Sequence, residues 1–237
     1  MHLPFEQFPA LSAIKLCRHV FAQRIPGIDV SHDKTEVLER LDAAHHEIRN
    51  AVGFGDWPLF TAEQVHGNKI AAIDEVGSAL RADRGRHGVA SLPDREFSGC
   101  DGIITNQRSV ALGIYVADCC AVYIVDPKTP AIGLVHSGRK GTELAVVTNA
   151  IMQMIERFGS DPADLVVQLS PCIRPLHYEV DFASQIIRQC RALGIHQIHD
   201  SDTCTACDLR RYYSYRAEKG KTGRMLAVLG LDPTGAN

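Results

Sequence analysis

The apolar positions along the chain fall into two rhythms. Over 33–52, Val37, Leu41, Ala44, Ile48 and Val52 recur every three to four residues. That period stacks side chains on one helix face, and Gly53 follows as a stop signal. Over 143–158, Leu144, Val147, Ile151, Met154 and Phe158 make a second stripe that ends before Gly159. Over 182–193, Phe182, Ile186, Cys190 and Leu193 make a third, between Asp181 as N-cap and Gly194. Between the stripes lie near-continuous apolar runs at 69–76, 109–116, 120–126, 131–136, 165–169 and 225–231. Runs of this kind read as strands covered by helices. Those between 109 and 136 read as hairpin neighbours and the others as strands joined by single helices. The expected fold is therefore α+β with mixed sheets, not a regular doubly wound sheet. The most loop-like stretch is 81–101. No repeat or low-complexity tract divides the chain, so 1–237 reads as one domain.

At 237 residues and 45% hydrophobic content the chain can bury a sizeable core. A formal net charge of -3 with dispersed Lys and Arg argues against a nucleic-acid or membrane-surface partner. No run approaches about 18 consecutive apolar residues, and MHLPFEQFPALS lacks a basic-then-apolar leader pattern. The expectation is a cytoplasmic protein. Its eight cysteines are irregularly spaced and read as reduced thiols. Cys204-Thr-Ala-Cys207 has no second such pair to complete a zinc ribbon, so it reads as two ordinary loop thiols.

The polar interruptions carry the candidate chemistry. Asp118 and Cys119 stand between two strongly apolar runs. A buried, unpaired carboxylate costs several kcal/mol, so either the pair falls at a strand's mouth or the interruption has no explanation in this stretch alone. Two further segments have the same position: Gln64–Asn68 before the strand from 69, and His136-Ser137-Gly138 after the strand from 131. Two imidazoles and a thiolate, from His66, His136 and Cys119, suit zinc and leave a fourth position open to water or substrate. Spacing alone does not bring the three together, and each by itself reads more readily as a structural residue than as a ligand.

The strings EQVHGN (63–68), CDGIITN (100–106), ADC (117–119), HSGRKGT (136–142), SPCI with YEV (170–180) and SYR with TGR (214–224) occur in that order. Together they resemble the laccase-domain proteins, polyphenol-oxidase-like bacterial proteins regarded as purine nucleoside phosphorylases. The resemblance spans about 18–231. It implies a four-layer α/β/β/α sandwich and one zinc held by His66, Cys119 and His136. It also implies phosphorolysis of adenosine, inosine, guanosine and methylthioadenosine, with deamination of adenosine. The partners implied are purine nucleosides and phosphate. Asp118, Cys119 and His136 are the catalytic candidates. In that setting Cys119 is the metal thiolate and Asp118 orients a histidine ligand or exchanges a proton with substrate. Cys120 alternates to the opposite face and reads as core. Substrate and phosphate candidates are Arg24, Gln64, Asn68, Ser137, Arg139, Lys140, Arg216 and Arg224. The turn from Ser137 to Thr142 opens a helix, where free N–H groups favour an anion.

The chain departs from the family's H-A-G-W-R-G turn, having Ser137, Arg139 and Lys140. Arg139 replaces an aromatic surface with a charge that needs an anion. The N-terminal T-R-x-G-G element keeps Arg24 and Gly27, and G-P-x-I-G becomes Ser170–Arg174. Three rival readings follow from the same residues. A copper oxidase of phenols needs further histidine clusters, and the eleven histidines form no H-x-H pair. A cysteine hydrolase or deamidase would use Cys119 as nucleophile and His136 as its base. The altered turn also permits a binding protein without turnover.

Overall fold

The apolar runs pair into two six-stranded sheets in a computed structural model that describes residues 3–73 and 95–233. Positions 74–76 of the strand expected from 69, and 81–94 of the loop-like stretch, lie outside the described residues. The first sheet runs β1 (Phe5–Glu6), β2 (Cys17–Ala22), β12 (Met225–Leu231), β7 (Ala111–Val116), β3 (Leu59–Ala62), β5 (Arg95–Phe97). The second runs β11 (Gln197–Asp200), β10 (Val166–Leu169), β8 (Cys120–Asp126), β9 (Ala131–Ser137), β6 (Gly102–Thr105), β4 (Ile70–Ile73). Both are mixed: β3 lies parallel to β5 and β7, β4 to β6, and β10 to β11, while the remaining pairs are antiparallel.

Helices cover the outer faces, giving the expected four-layer α+β sandwich. In chain order they are α1 (Pro9–Ser12), α2 (Lys34–Ala51), α3 (Arg139–Glu143), α4 (Val146–Phe158) and α5 (Phe182–Ala192). Helix α2 buries Val37, Leu41 and Ile48, and Asp33 caps it by accepting from the N–H groups of Thr35 and Glu36. Alternation along β8 divides two cores. Ala121, Tyr123 and Val125 join the cluster shared with the first sheet, whereas Cys120, Val122 and Ile124 pack with Val147, Ile151, Met154 and Ile186 of α4 and α5. Cys120 is thus a core residue. The Tyr123 hydroxyl donates to the Val20 carbonyl at 2.9 Å, satisfying a fully buried phenol across the sheets. Among the described residues, no helix is long and apolar enough to cross a membrane.

One expectation is corrected in a way that matters for the site. Only β8 and β9 form the hairpin read into 109–136, paired from Cys120 with Ser137 to Asp126 with Ala131. Strand β7 belongs to the other sheet, between β12 and β3. Residues 117–119 are therefore a crossing from one sheet to the other, and so are residues 63–69 between β3 and β4. An apolar run buried on both faces has the same composition in either sheet, so periodicity cannot assign its partner.

Candidate metal centre

Both sheet-crossing segments and the end of β9 meet at one end of the sandwich. His66, Cys119 and His136 bring their ligand atoms within 4.8 Å of one another. The two imidazole rings stand nearly perpendicular, 82° apart, with centroids 4.9 Å apart. His66 is exposed, Cys119 half-buried and His136 buried. The thiol can sit here because residue 138 is glycine: a Cβ there would lie 2.5 Å from the Cys119 sulfur. Gly138→Ala is accordingly expected to displace the thiol and weaken metal binding roughly tenfold or more, with the fold intact. Zinc affinity measured alongside a thermal melt checks this.

Asp101 organises the cluster, one of the two roles that the sequence reading left open to Asp118. Asp101 is fully buried and its carboxylate accepts from the backbone N–H of His66 at 2.8 Å and of Gly67 at 2.6 Å. Its Oδ1 also lies 2.9 Å from His136 Nδ1. That contact leaves Nε2 of His136 for a metal, in the carboxylate–histidine–metal arrangement that fixes ring orientation. Asp118 instead accepts from the Thr205 hydroxyl and the Arg216 backbone N–H, both at 2.7 Å. It faces the cavity with its backbone in the left-handed region at φ 85°, as do Gln64 at 65° and His66 at 60°. Non-glycine residues held there signal a surrounding structure that enforces the geometry.

The donor set fits a soft or borderline divalent ion. Burial raises the Cys119 thiol, but the His136 and His66 imidazoles outweigh it and bring it down to about 6. Burial lowers His136, and the Cys119 thiolate and Asp101 carboxylate outweigh that and lift it to about 9. The metal-free pair is thus a thiolate beside an imidazolium. An ion that binds there displaces the His136 Nε2 proton to reach the thiolate and two neutral imidazoles that zinc and copper bind.

The cluster opens into a cavity of about 640 Å³, within the range of small-molecule sites. Of the residues singled out in the sequence, Gln64, His66, Asp118, Cys119, His136, Arg139, Arg216 and Arg224 line it. Gln64 also has a structural task, since its amide exchanges two hydrogen bonds with the Tyr115 backbone, at 2.5 and 2.9 Å.

Arg24, Asn68, Ser137 and Lys140 do not line the cavity. Arg24 is held by Glu218 at 2.6 Å and the Tyr212 carbonyl at 3.1 Å, over the ring of Tyr213. Asn68 ties its loop to the Leu144 carbonyl and to Asn149. The buried Ser137 hydroxyl bonds that of Thr142 at 2.8 Å, and Lys140 is exposed. Helix α3 has only five residues, too short for its dipole to hold an anion. Arg139 already has anionic partners, Glu143 at 3.0 Å and Glu179 at 3.8 Å, and Glu179 also pairs with Arg216 at 3.2 Å. The sequence reading passed over Tyr115, Tyr178, Phe182, Tyr215 and Lys219 of the lining. Four of these are aromatic; Tyr178 and Tyr215 fall in the quoted strings YEV and SYR, which were the available signal.

A family model described as multi-copper polyphenol oxidoreductase laccase matches residues 19–185 and 178–232. The chain is 27% identical to purine nucleoside phosphorylase YlmD of Geobacillus stearothermophilus, over 89% of this chain and 84% of that protein. It is 26% identical to purine nucleoside phosphorylase Cgl2154/cg2365 of Corynebacterium glutamicum, over 90% of this chain and 94% of the other. The solved structure of YlmD from Geobacillus stearothermophilus superposes with a TM-score of 0.76 at 23% identity, covering 98% of this chain and 100% of that one.

Proposed function

The chain belongs to the multi-copper polyphenol oxidoreductase laccase family, and on that premise we propose that it is a zinc-dependent purine nucleoside phosphorylase that also deaminates adenosine. The observation that carries this reading is the meeting of a two-histidine, one-thiol cluster with an aromatic, cation-bearing cavity. His66, Cys119 and His136 would hold the zinc. When bound, it would supply Lewis-acid polarisation and an activated water for deamination.

The protein's own groups account for the rest. Tyr115, Tyr178 and Tyr215 offer faces and edges against which a purine packs. Arg216, Lys219 and Arg224 supply positive charge for phosphate and for the negative charge that develops on the leaving base. Arg224 donates to the Thr222 and Gly223 carbonyls at 3.0 and 2.9 Å, which fixes its head at the cavity wall. Arg139 and Arg216 reach phosphate only in competition with Glu179. Asp118, oriented by Thr205 and Arg216, is the carboxylate placed to accept a nucleoside hydroxyl or to move a proton. The reading carries a cytoplasmic location with it.

Inosine cleavage is expected to require phosphate and to yield hypoxanthine and ribose 1-phosphate. Equal base release in phosphate-free buffer would identify a hydrolase. Cys119→Ala and His136→Ala are each expected to take up one zinc fewer per chain than the parent and to lose turnover by at least about a hundredfold. Full zinc in both variants refutes the metal assignment. A second reading, Cys119 as nucleophile and His136 as base, draws on their thiolate–imidazolium pairing. It requires turnover to survive complete zinc removal, and the zinc reading requires it to vanish. A multi-copper oxidase is disfavoured because, among the described residues, the two three-donor clusters hold three histidines between them.

A further inference from the structure

A second cluster of three donors lies beside the cavity. His177, Cys204 and Cys207 bring ligand atoms within 4.8 Å of one another. The Cys204-Thr-Ala-Cys207 pair has no second CxxC, and the fold supplies its third donor from 27 residues upstream. Backbone contacts hold the two segments together. Cys172 forms a β-bridge with Cys204, its N–H donates to the Thr203 carbonyl at 3.1 Å, and its carbonyl accepts from Thr205 at 3.2 Å. Arg174 clamps the start of the turn to Asp200 through two hydrogen bonds, at 2.9 and 2.5 Å. The N–H groups of His177 and Tyr178 then both donate to the Arg174 carbonyl at 3.1 Å. Leu176, fully exposed at φ 85°, is the strained residue that presents His177.

The spacing of the donors points to their partner. Nδ1 of His177 lies 3.7 Å from the Cys204 sulfur and 3.5 Å from the Cys207 sulfur. On a tetrahedral zinc, with Zn–N about 2.0–2.1 Å and Zn–S about 2.3 Å, an imidazole nitrogen and a thiolate stand about 3.5–3.6 Å apart. We propose that His177, Cys204 and Cys207 form a second zinc site, with solvent in the fourth position. Two thiolates exclude magnesium and calcium as occupants.

The site's place in the fold gives it a positioning role for the cavity. Tyr178, next to His177, lines the cavity and packs edge-on against Phe182. Thr205, between the two cysteines, donates to Asp118 Oδ1 at 2.7 Å. One ion bridging these segments would fix an aromatic wall and a carboxylate of the cavity together, without touching substrate.

Zinc titration of reduced, metal-stripped full-length protein against a chromophoric chelator, under anaerobic conditions, tests this. The parent is expected to take up one zinc more per chain than either Cys207→Ser or His177→Ala, whatever the occupancy of the His66, Cys119 and His136 centre. Both substituted residues are exposed, and a thermal melt of each variant verifies that it is folded. With cobalt in place of zinc, thiolate charge-transfer absorption should fall in Cys207→Ser. A common endpoint for the parent and either folded variant overturns the proposal. So does a Cys204–Cys207 disulfide that re-forms in preference to zinc uptake when parent is handled in air with the metal present.

Discussion

Asparagine in place of Asp101 is expected to weaken metal binding at the His66, Cys119 and His136 centre by about 10- to 100-fold. The same change should destabilise the fold by about 3 to 5 kcal/mol. The carboxylate is fully buried and serves three groups: the N–H groups of His66 and Gly67, and Nδ1 of His136. Burial raises this carboxyl, and its hydrogen bonds with His136 and Gly67 outweigh that and hold it below its usual range. An asparagine keeps one acceptor oxygen and turns an NH2 group toward a donor it cannot satisfy. Oδ1 serves both the His66 N–H and His136 Nδ1, while Oδ2 serves the Gly67 N–H. The NH2 therefore meets either Gly67, displacing the turn that carries His66, or both of the other donors. A neutral amide holds His136 less firmly in each case. Asp118→Asn is the control, because that carboxylate accepts from Thr205 and Arg216 instead. It should retain the metal. A zinc competition titration and urea unfolding read both effects. Parent-like zinc affinity in Asp101→Asn would show that the orientation of His136 is set elsewhere.

Acidification is expected to destabilise the protein from about pH 6.5 downward, above the range in which carboxylates titrate. His19 and His45 are buried, and burial lowers each imidazole to about 4. For His19 the geometry gives an independent reason. Its Nε2 accepts the Phe8 N–H at 2.7 Å, so protonation there breaks a buried hydrogen bond. Beside His45 the Arg49 guanidinium opposes a second positive charge. Because the unfolded chain protonates these rings near 6.5 and the folded protein only near 4, the stability they confer is complete above about pH 6.5. It is lost as pH falls toward 4. At pH 5 the loss is about 2 kcal/mol for each ring, or about 4 kcal/mol for the two. Urea unfolding of metal-stripped protein at pH 7 and pH 5 measures it, and His45→Leu should remove about half of the fall. An equal fall in parent and variant would show that His45 is protonated in the folded state.

How much of this was legible in the sequence depended on the range of the interaction. The three long helices match their stripes to within a few residues. Helix α4 starts at Val146, not near 143, because Ala145 takes a left-handed backbone at φ 55° between two helical segments. Six of the twelve strands among the described residues, including β3, β5, β6 and β11, carried too short an apolar run to show a period. His66, Cys119 and His136 stood out as reactive types at strand ends, and the motif strings gave them a common family. Asp101 sat unremarked inside CDGIITN, since nothing local distinguishes a carboxylate that accepts three long-range hydrogen bonds from one facing water.

The sequence by itself determined the local elements, the α+β class and the reactive groups at strand ends, because each follows from side chains within a few turns or residues of one another. Only the tertiary structure decided that β7 and β8 lie in different sheets, which makes residues 117–119 a crossing and carries Cys119 to His66 and His136. Only it decided that Asp101 rather than Asp118 orients a histidine, that Arg24 is held by Glu218 away from the cavity, and that Cys204 and Cys207 gain His177. Each of these turns on a contact between residues 17 to 194 positions apart. The cost of closing such loops is met by burial of the whole core, which no local window of sequence contains.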